Sequence, residues 1–200
     1  MGCYCSRMTT AKSSRSATAG RPVGRDAVVA AVLAAATELF AERGPAATSV
    51  RDIAARSGVN HGLVYRHFGA KEELVGAVLD YLSDEVAAAA DGGGTGDAVD
   101  VVVERHWRVI ARAILDGYPV GRLQRRFPYV SRLVDRAQAH HPDDVAARLA
   151  AGNAVALELG WRLFEPFVRS AAGVRDVSPA RLRQAIDTAV KEMVEPGASR

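Results

Sequence analysis

Residues 48–74 read TSVRDIAARSGVNHGLVYRHFGAKEEL, and this stretch constrains the fold more than any other part of the chain. Gly58 stands between two short segments of helical character. Ile53 and Ala54 lie before this glycine, and Val59 and Val64 lie after it, so apolar side chains from both segments can pack together across a sharp turn. Two short helices joined by a tight turn that contains glycine form a helix-turn-helix, which is the arrangement that we predict here.

The second helix of this motif carries an unusual set of residues for so short an element. Asn60 is a good N-cap. The predicted packing leaves polar side chains on the outside, where they are predicted to contact DNA: Asn60, His61, Tyr65 and Arg66. A helix of this kind fits the major groove of DNA, where histidine and arginine can donate hydrogen bonds to guanine O6 or N7. Glycine at position 62 makes the helix about 1 kcal/mol less stable than alanine would. Because Gly62 has no side chain, a base could approach the helix backbone there.

Two residues at helix starts are candidates for phosphate contacts. Thr48 is predicted to cap the first helix of the motif, and Lys71 begins the helix that follows the motif. Helix N-termini attract anions, and lysine adds a positive charge. Such contacts would fix the position of the protein on DNA, while the second helix reads the sequence.

The same stretch resembles the DNA-binding domain of the TetR family of transcriptional repressors, over roughly residues 25–90. The family pattern is matched in step by Thr48, Ile53-Ala54, Gly58-Val59, Tyr65 with Phe68, and Lys71 with Leu74. Asn60 stands where serine is commoner, but asparagine caps a helix equally well. The resemblance implies phosphate contacts for Thr48, Tyr65 and Lys71, base-edge positions for His61, Gly62, Leu63 and Arg66, and a position near the DNA backbone for His67.

Several of these residues have a structural alternative. Tyr65 could be a core aromatic residue, and His67 could pack between helices beside Phe68. Leu63 could face the turn rather than a thymine methyl group. The sequence pattern leaves these alternatives open.

The remainder of the chain is predicted to be helical as well. Alanine dominates an apolar set that makes up 48% of the 200 residues, and aromatic residues make up 6%. No long alternating run of β-branched residues indicates a strand, so we predict an all-α fold. No run of 18 apolar residues indicates a membrane span, and the N-terminus lacks the apolar segment of a signal peptide. We therefore expect a cytoplasmic protein with no membrane partner.

Composition and charge divide the chain into three predicted parts: a disordered basic tail at 1–24, a helix-turn-helix DNA-binding domain at 25–70, and a ligand-binding and dimerisation domain at 71–200. Residues 1–71 contain ten Lys/Arg and four Asp/Glu, whereas residues 72–200 contain sixteen and nineteen. A basic N-terminal third indicates a partner that is a polyanion, although the tail supplies part of the excess.

The tail itself offers little chemistry. Cys3 and Cys5 both lie there and cannot cross-link a core, so a reducing compartment is expected. Gly2 and Ser6 match the weak myristoylation pattern. The segment is also explained if the given sequence starts too early and Met8 is the native first residue.

The C-terminal part is predicted to contain a long helix over 143–172, kinked near Pro166. The resemblance implies that this part binds an effector and dimerises. A dimer also meets a geometric need, because two recognition helices must reach grooves about 34–36 Å apart. One face of the long helix combines small and apolar residues, and its burial inside one chain is the alternative to a dimer contact. The predicted dimer residues are Gly152, Val155, Ala156, Leu159, Gly160 and Leu163.

A ligand pocket is expected among the central helices, because aromatic and apolar walls with a few polar groups are typical of small-molecule sites. Each candidate could instead serve core packing. Few polar residues lie on the inward faces, which favours a hydrophobic ligand. The candidates are His106, Trp107, Ile110, Tyr118, Phe127, Tyr129, Trp161, Phe164 and Glu165.

No motif indicates catalysis or a cofactor. The chain contains no Gly-x-Ser-x-Gly, no dinucleotide fingerprint, and no Gly-Lys-Ser/Thr after its glycine-rich segment at 91–97. His140, His141, Asp143 and Asp144 could bind a metal ion, but a solvated loop is the alternative and no metal is expected. Two alternative hypotheses are an enzyme whose N-terminal part has a regulatory role and a protein that binds DNA without sequence specificity. The resemblance instead implies a ligand-responsive repressor that binds a palindromic operator as a homodimer, with the helix over 71–90 linking the two parts.

Overall fold

The computed structural model describes residue 22 and residues 24–91 and 97–197, and it contains only helices and connecting loops within these ranges. The all-α prediction is confirmed. The helices, numbered in chain order, are α1 Arg25–Arg43, α2 Val50–Ser57, α3 His61–Phe68, α4 Lys71–Asp91, α5 Asp97–Leu115, α6 Val120–Leu123, α7 Pro128–Gln138, α8 Asp144–Ala171 and α9 Pro179–Val194. Of the predicted disordered tail at 1–24, residues 1–21 and 23 lie outside the described residues.

The start of α2 differs from the sequence prediction. Ser49, not Thr48, is the N-cap: its hydroxyl accepts from the Asp52 backbone N–H at 3.1 Å, and the Asp52 carboxylate accepts from the Ser49 N–H at 2.9 Å. This reciprocal pair is a capping box. Thr48 is fully buried, and its hydroxyl donates to the carbonyl oxygen of Gly44 at 2.8 Å. Both residue types can cap a helix, so only the position of the first turn decides between them.

The turn between α2 and α3 forms as predicted. Gly58 ends α2 in the left-handed conformation, with φ 67° and ψ 15°, which other residues adopt only at a cost. Asn60 then caps α3, because its side-chain oxygen accepts from the Gly62 N–H at 2.8 Å. Contacts within the motif itself therefore set the turn between the two short helices.

Two hydrophobic clusters form the core of the described chain. The first joins α1–α6 and includes Phe40, Ile53, Val64 and Leu79, which are all at most 1% exposed. The second lies among α7, α8 and α9. The helix-turn-helix therefore shares one continuous core with the first half of α4 and with α5, rather than enclosing a core of its own. The predicted domain boundary between 70 and 71 remains a prediction.

The long helix α8 is kinked where the sequence places a proline. Phe164 leaves the helical region, with φ −118° and ψ 16°, two residues before Pro166. Proline removes a backbone donor and its ring displaces the preceding turn, which explains the kink. No helix in the described part of the chain is both long and apolar enough to cross a bilayer.

Candidate functional site

The outer face of α3 is the first candidate surface. His61 and Arg66 are exposed, and the Tyr65 side chain is 64% exposed, so the core alternative for Tyr65 is not what the fold shows. Val64, on the opposite face, is 1% exposed and packs in the first core. A helix buried along one face and polar along the other presents the polar side chains to a partner in a fixed orientation.

The charged residues from Ile53 to Lys71 are all basic, because no acidic residue occurs in this stretch of the sequence. Arg56 is neutralised by Glu38 and Glu42 of α1, at 3.0 and 3.4 Å. Arg66 has no ion pair within the described ranges. The exposed face of α3 is therefore free to receive an anion, and its own N-terminus carries a neutral cap rather than a carboxylate.

Two predicted contact residues lie at the edge of this face. Leu63 is half-buried and packs against the first core, which favours the alternative that it supports the turn. His67 is also half-buried and lines a surface cleft between α3, α4 and the segment after α6. Gly62 lies exposed on the first turn, where an added Cβ would meet only the Asn60 side chain, at 3.2 Å.

Thr48 and Lys71, the two residues predicted to contact phosphates at helix starts, lie in different environments. The Thr48 side chain is fully buried and hydrogen-bonded to Gly44, an environment that does not favour a phosphate contact, and its DNA-binding role stays a prediction. Lys71 is half-buried, and its Nζ donates to the carbonyl oxygen of Ala46 at 3.4 Å, beside the α1–α2 loop. The Glu73 carboxylate accepts a hydrogen bond from the Ala70 N–H at 2.7 Å. The N-terminus of α4 is therefore already paired with a negatively charged side chain.

A hydrogen bond ties the α1–α2 loop to the C-terminal end of α5. The Asp116 carboxylate accepts from the Ala46 backbone N–H at 2.7 Å, and Gly44 leaves room for it because a Cβ there would lie 2.7 Å from the same oxygen. The loop that precedes the helix-turn-helix is therefore anchored on the body of the protein. Neither end of this link is apparent in the sequence.

The second candidate site is a cavity of about 460 Å³ among α4–α8, within the volume range of ligand pockets. Its walls are mainly apolar, with a few polar and charged groups. The lining residues are Ser83, Val86, Val103, His106, Trp107, Ile110, Val120, Gln124, Phe127, Pro128, Tyr129, Val130, Arg132, Val155, Glu158, Leu159 and Arg162.

Five of the nine predicted ligand residues line this cavity: His106, Trp107, Ile110, Phe127 and Tyr129. Trp161 and Glu165 instead line a separate cleft of about 300 Å³ between α5, α8 and α9. Tyr118 and Phe164 line neither space, and Phe164 is 57% exposed. Trp161, Phe164 and Glu165 lie on α8 and Tyr118 follows α5, and a ligand-binding role for these four residues stays a prediction.

One end of the cavity carries a buried polar group. The Gln124 side-chain N–H₂ donates to the Ser83 hydroxyl at 2.7 Å and to the carbonyl oxygen of Arg126 at 2.8 Å. His106 Nε2 lies 3.4 Å from the same hydroxyl, and its ring stacks on Trp107. Burial lowers the pKa of His106 to about 4, so the imidazole is neutral at physiological pH.

A second polar pair lies on α7 and α8. The Tyr129 hydroxyl donates to both carboxylate oxygens of Glu158, at 2.7 and 2.8 Å. Burial raises the pKa of the Tyr129 phenol, and the nearby Glu158 charge adds to that effect; burial also raises the pKa of Glu158. The pair places a hydrogen-bonded carboxylate in a wall that also contains Arg132 and Arg162.

Sequence reasoning missed Ser83, Gln124 and Glu158. Ser83 and Glu158 occur in helices whose apolar residues dominated the pattern, and Gln124 lies in a short non-helical segment. The sequence feature that could have indicated these residues is a polar residue at a helix position flanked by core residues, such as Ser83 next to Leu82. That signal does not separate a cavity wall from a solvated edge.

The predicted dimer residues lie on different sides of α8. Val155 and Leu159 line the cavity, and the assignment of the six residues to a dimer face stays a prediction. Gly152 and Ala156 are exposed, while Gly160 and Leu163 are half-buried. An added Cβ at Gly152 or Gly160 would meet nothing within 4 Å. A helix turns about 100° per residue, so a line of residues four apart drifts about 40° per step and winds from core to surface.

The His-Pro-Asp loop before α8 has structural roles. Asp143 caps α8 by accepting from the Ala146 N–H at 2.8 Å, and Asp144 accepts from Gln138 and pairs with Arg148. His141 Nε2 lies 3.0 Å from the carbonyl oxygen of Met193. No cluster of three or more His, Cys, Asp or Glu in the described ranges is placed to hold a metal ion.

Comparison with known sequences agrees with this geometry. Residues 32–78, which span α2 and α3, match the sequence model of the bacterial regulatory proteins of the tetR family. The chain is 54% identical over 175 residues to the HTH-type transcriptional repressor Rv3405c of Mycobacterium tuberculosis (strain ATCC 25618 / H37Rv), and the alignment covers 88% of this chain and 93% of that protein. The HTH-type transcriptional regulator Mb3439c of Mycobacterium bovis shows the same identity and coverage.

Among solved structures, the fold is similar to that of a putative transcriptional regulator of the TetR family from Vibrio parahaemolyticus. The TM-score is 0.52 at 22% sequence identity, and the match covers 82% of this chain and 97% of that one. At this identity the likeness shows the fold alone. The sequence relatives, which align over most of their length, carry the family assignment.

Proposed function

This chain belongs to the TetR family of transcriptional regulators, and from that premise we propose that it is a ligand-released repressor. In this proposal a homodimer binds a palindromic operator in the bacterial cytoplasm, and a small, mainly apolar molecule in the cavity releases it. The observation that carries the DNA-binding role is the face of α3. His61, Tyr65 and Arg66 are exposed on a helix that is fixed to the core through Val64.

The recognition step follows from the chemistry of that face. Arginine can donate two hydrogen bonds to guanine O6 and N7, and histidine can donate one. Tyr65, at the same surface, can donate its hydroxyl to a phosphate, and Lys71 can add a charge. Ser49 takes the place of Thr48 as the exposed residue at the start of α2.

Dimerisation is supported by the outer face of α8. Val145 and Leu149 are 67% and 62% exposed, and the exposed Gly152 and Ala156 follow on the same stretch of helix. Apolar residues beside small ones let a second helix approach closely, and a two-fold pair of chains matches a palindromic site. Together with α9, this face could form a four-helix interface.

Coupling between the cavity and DNA is proposed to run through α4. Ser83 and Val86 of α4 line the cavity, while Lys71 at the other end lies beside the α1–α2 loop. A ligand that binds better when α4 has shifted would lower the population of the DNA-binding form. Coupling free energies of about 1–3 kcal/mol, or about 5–150-fold, are usual.

The experiment that tests the recognition role is selection from random duplexes, followed by binding of variants to the selected site. We expect Arg66→Ala to weaken binding by about 5–150-fold at the selected site, because a guanine contact contributes about 1–3 kcal/mol of discrimination. Binding to unrelated duplexes should change much less. Arg108→Ala, which removes an exposed arginine of α5 instead, is the matched control.

An Arg66→Ala variant that keeps the sequence preference of the wild type would contradict the assignment of α3 as the reading helix. Failure of the wild-type chain to enrich any sequence would instead indicate a non-specific DNA binder. His61→Ala, measured in the same way, shows whether the first turn of α3 also reads a base.

Lys71 is expected to act on the phosphate backbone rather than on bases. Lys71→Ala should weaken binding to all duplexes by a similar factor and reduce the slope of log affinity against log salt by about one unit. Fluorescence anisotropy at several salt concentrations measures both quantities, with Lys191→Ala in α9 as control. A changed base preference in Lys71→Ala would count against the phosphate role.

A further inference from the structure

The polar group at the end of the cavity carries an inference about the chemistry of the ligand. We propose that the cavity binds an uncharged, mainly apolar molecule bearing a hydroxyl group, and that Gln124 and His106 hydrogen-bond this hydroxyl. The proposal rests on the ligand-responsive role given above and specifies the class of ligand.

The orientation of the Gln124 amide is determined by its partners. The carbonyl oxygen of Arg126 only accepts hydrogen bonds, so the atom 2.8 Å from it must be the amide nitrogen. The same nitrogen donates its second hydrogen to the Ser83 hydroxyl at 2.7 Å. Both amide hydrogens are then used. The amide oxygen of Gln124 has no partner within the described ranges, and the residue lines the cavity, so an acceptor remains for a ligand.

The proposal includes one tautomer of His106. In it the Ser83 oxygen accepts from Gln124 and the Ser83 hydrogen points to His106 Nε2, 3.4 Å away. A neutral imidazole whose Nε2 accepts carries its hydrogen on Nδ1. Burial keeps the imidazole neutral by lowering its pKa to about 4. Nδ1, which has no partner in the part of the chain that the structure describes, is then a donor.

One donor and one acceptor at the buried end of an apolar cavity match a hydroxyl group, which can accept from Nδ1 and donate to the Gln124 oxygen. A carboxylate would place its charge against that oxygen, and an ammonium group would place its hydrogens against the Nδ1–H. Either ion would also lose its hydration in a site with no opposite charge among Ser83, His106 and Gln124.

The charged residues of the cavity lie on other elements. Glu158 and Arg162 are on α8, and Arg132 is on α7. The Glu158 carboxylate already accepts a hydrogen bond from the Tyr129 hydroxyl. A guanidinium nitrogen of Arg162 lies 3.9 Å from a carboxylate oxygen of Asp100. An acidic ligand that used the arginines is the main alternative, and the experiment below separates it from the hydroxyl ligand.

The test uses the full chain and four probes that share one apolar skeleton: biphenyl-4-ol, biphenyl, biphenyl-4-carboxylate and biphenyl-4-methylamine. Isothermal titration calorimetry measures each dissociation constant, and fluorescence anisotropy of the selected duplex measures DNA release. We expect biphenyl-4-ol to bind about tenfold more tightly than each of the other three, as two hydrogen bonds to neutral groups allow.

Two variants locate the hydroxyl. Gln124→Met keeps a side chain of similar length without polar hydrogen-bonding groups, and should bring the affinity for biphenyl-4-ol down to that for biphenyl while leaving biphenyl binding unchanged. Gln184→Met, at an exposed glutamine of α9 outside the cavity lining, is the matched control and should leave the preference for the alcohol intact. Because the probe series is also measured on the wild type, the test does not depend on the folding of either variant.

Tighter binding of the carboxylate or the amine, equal binding of biphenyl and its alcohol, or no binding of any probe would each overturn the proposal. Release of DNA by the carboxylate would overturn the ligand class while supporting the ligand-responsive role. Binding of the alcohol without release of DNA would support the ligand class and contradict the ligand-responsive role.

Discussion

Phe40→Ala is expected to lower the free energy of unfolding by about 3–5 kcal/mol, because the side chain is fully buried and its removal leaves a cavity that its neighbours cannot fill. Phe40 lies on α1 in the core that α2, α3, α4 and α5 share. In a chain of this size the melting temperature should fall by about 6–20 °C. DNA binding should be lost over the same temperature range, since α3 is held through this core.

The measurement is thermal unfolding followed by circular dichroism, with operator affinity determined in parallel as temperature rises. Leu115→Ala is the control, because Leu115 is 84% exposed at the end of α5 and its truncation should change stability by less than about 0.5 kcal/mol. If Phe40→Ala melted at the wild-type temperature, the shared core would not support the helix-turn-helix as described.

Gly76→Val is expected to weaken operator binding by the ligand-free protein, by a factor within about 5–150. Gly76 lies on α4 where α6 crosses it, and a Cβ at this position would lie 2.6 Å from the carbonyl oxygen of Leu123. Backbone atoms at that distance must move apart. The substitution therefore shifts α4 relative to α6 without a ligand, and a shift of α4 is the movement that we propose for the released state.

The displacement should also destabilise the fold by about 1–3 kcal/mol, as overpacking usually does. Gly121→Ala in α6 is the matched control, because a Cβ there meets nothing within 4 Å. Affinity for the selected duplex and the melting temperature are to be measured for both variants. A Gly76→Val protein that is folded and binds the operator with wild-type affinity would rule out α4 as the coupling element.

Much of the local structure could be predicted because it depends on neighbours in sequence. Asn60 and Ser178 cap helices by accepting backbone N–H groups two or three residues ahead, and Gly58 adopts a conformation that its lack of a side chain permits. The kink near Pro166 has the same origin. The error at Thr48 is also instructive, since Ser49 beside it has equal capping ability and only the exact start of α2 separates them.

Residues whose roles depend on distant partners could not be predicted in this way. Gln124 and Ser83 are 41 positions apart, and Asp116 is 70 positions from Ala46. Val155 and Leu159 line the cavity while Gly152 and Ala156 are exposed, because the two neighbouring rows of α8 point in different directions.

The sequence by itself determined that the chain is helical, that residues 48–74 form a helix-turn-helix and that polar side chains lie on the outer face of its second helix. These properties arise from backbone propensities and contacts between near neighbours, which a few residues encode locally. The tertiary structure alone decided which side chains enclose the cavity, which carboxylate anchors the α1–α2 loop and where α4 meets α6. Those properties depend on the relative positions of whole helices, which arise only when the two cores pack.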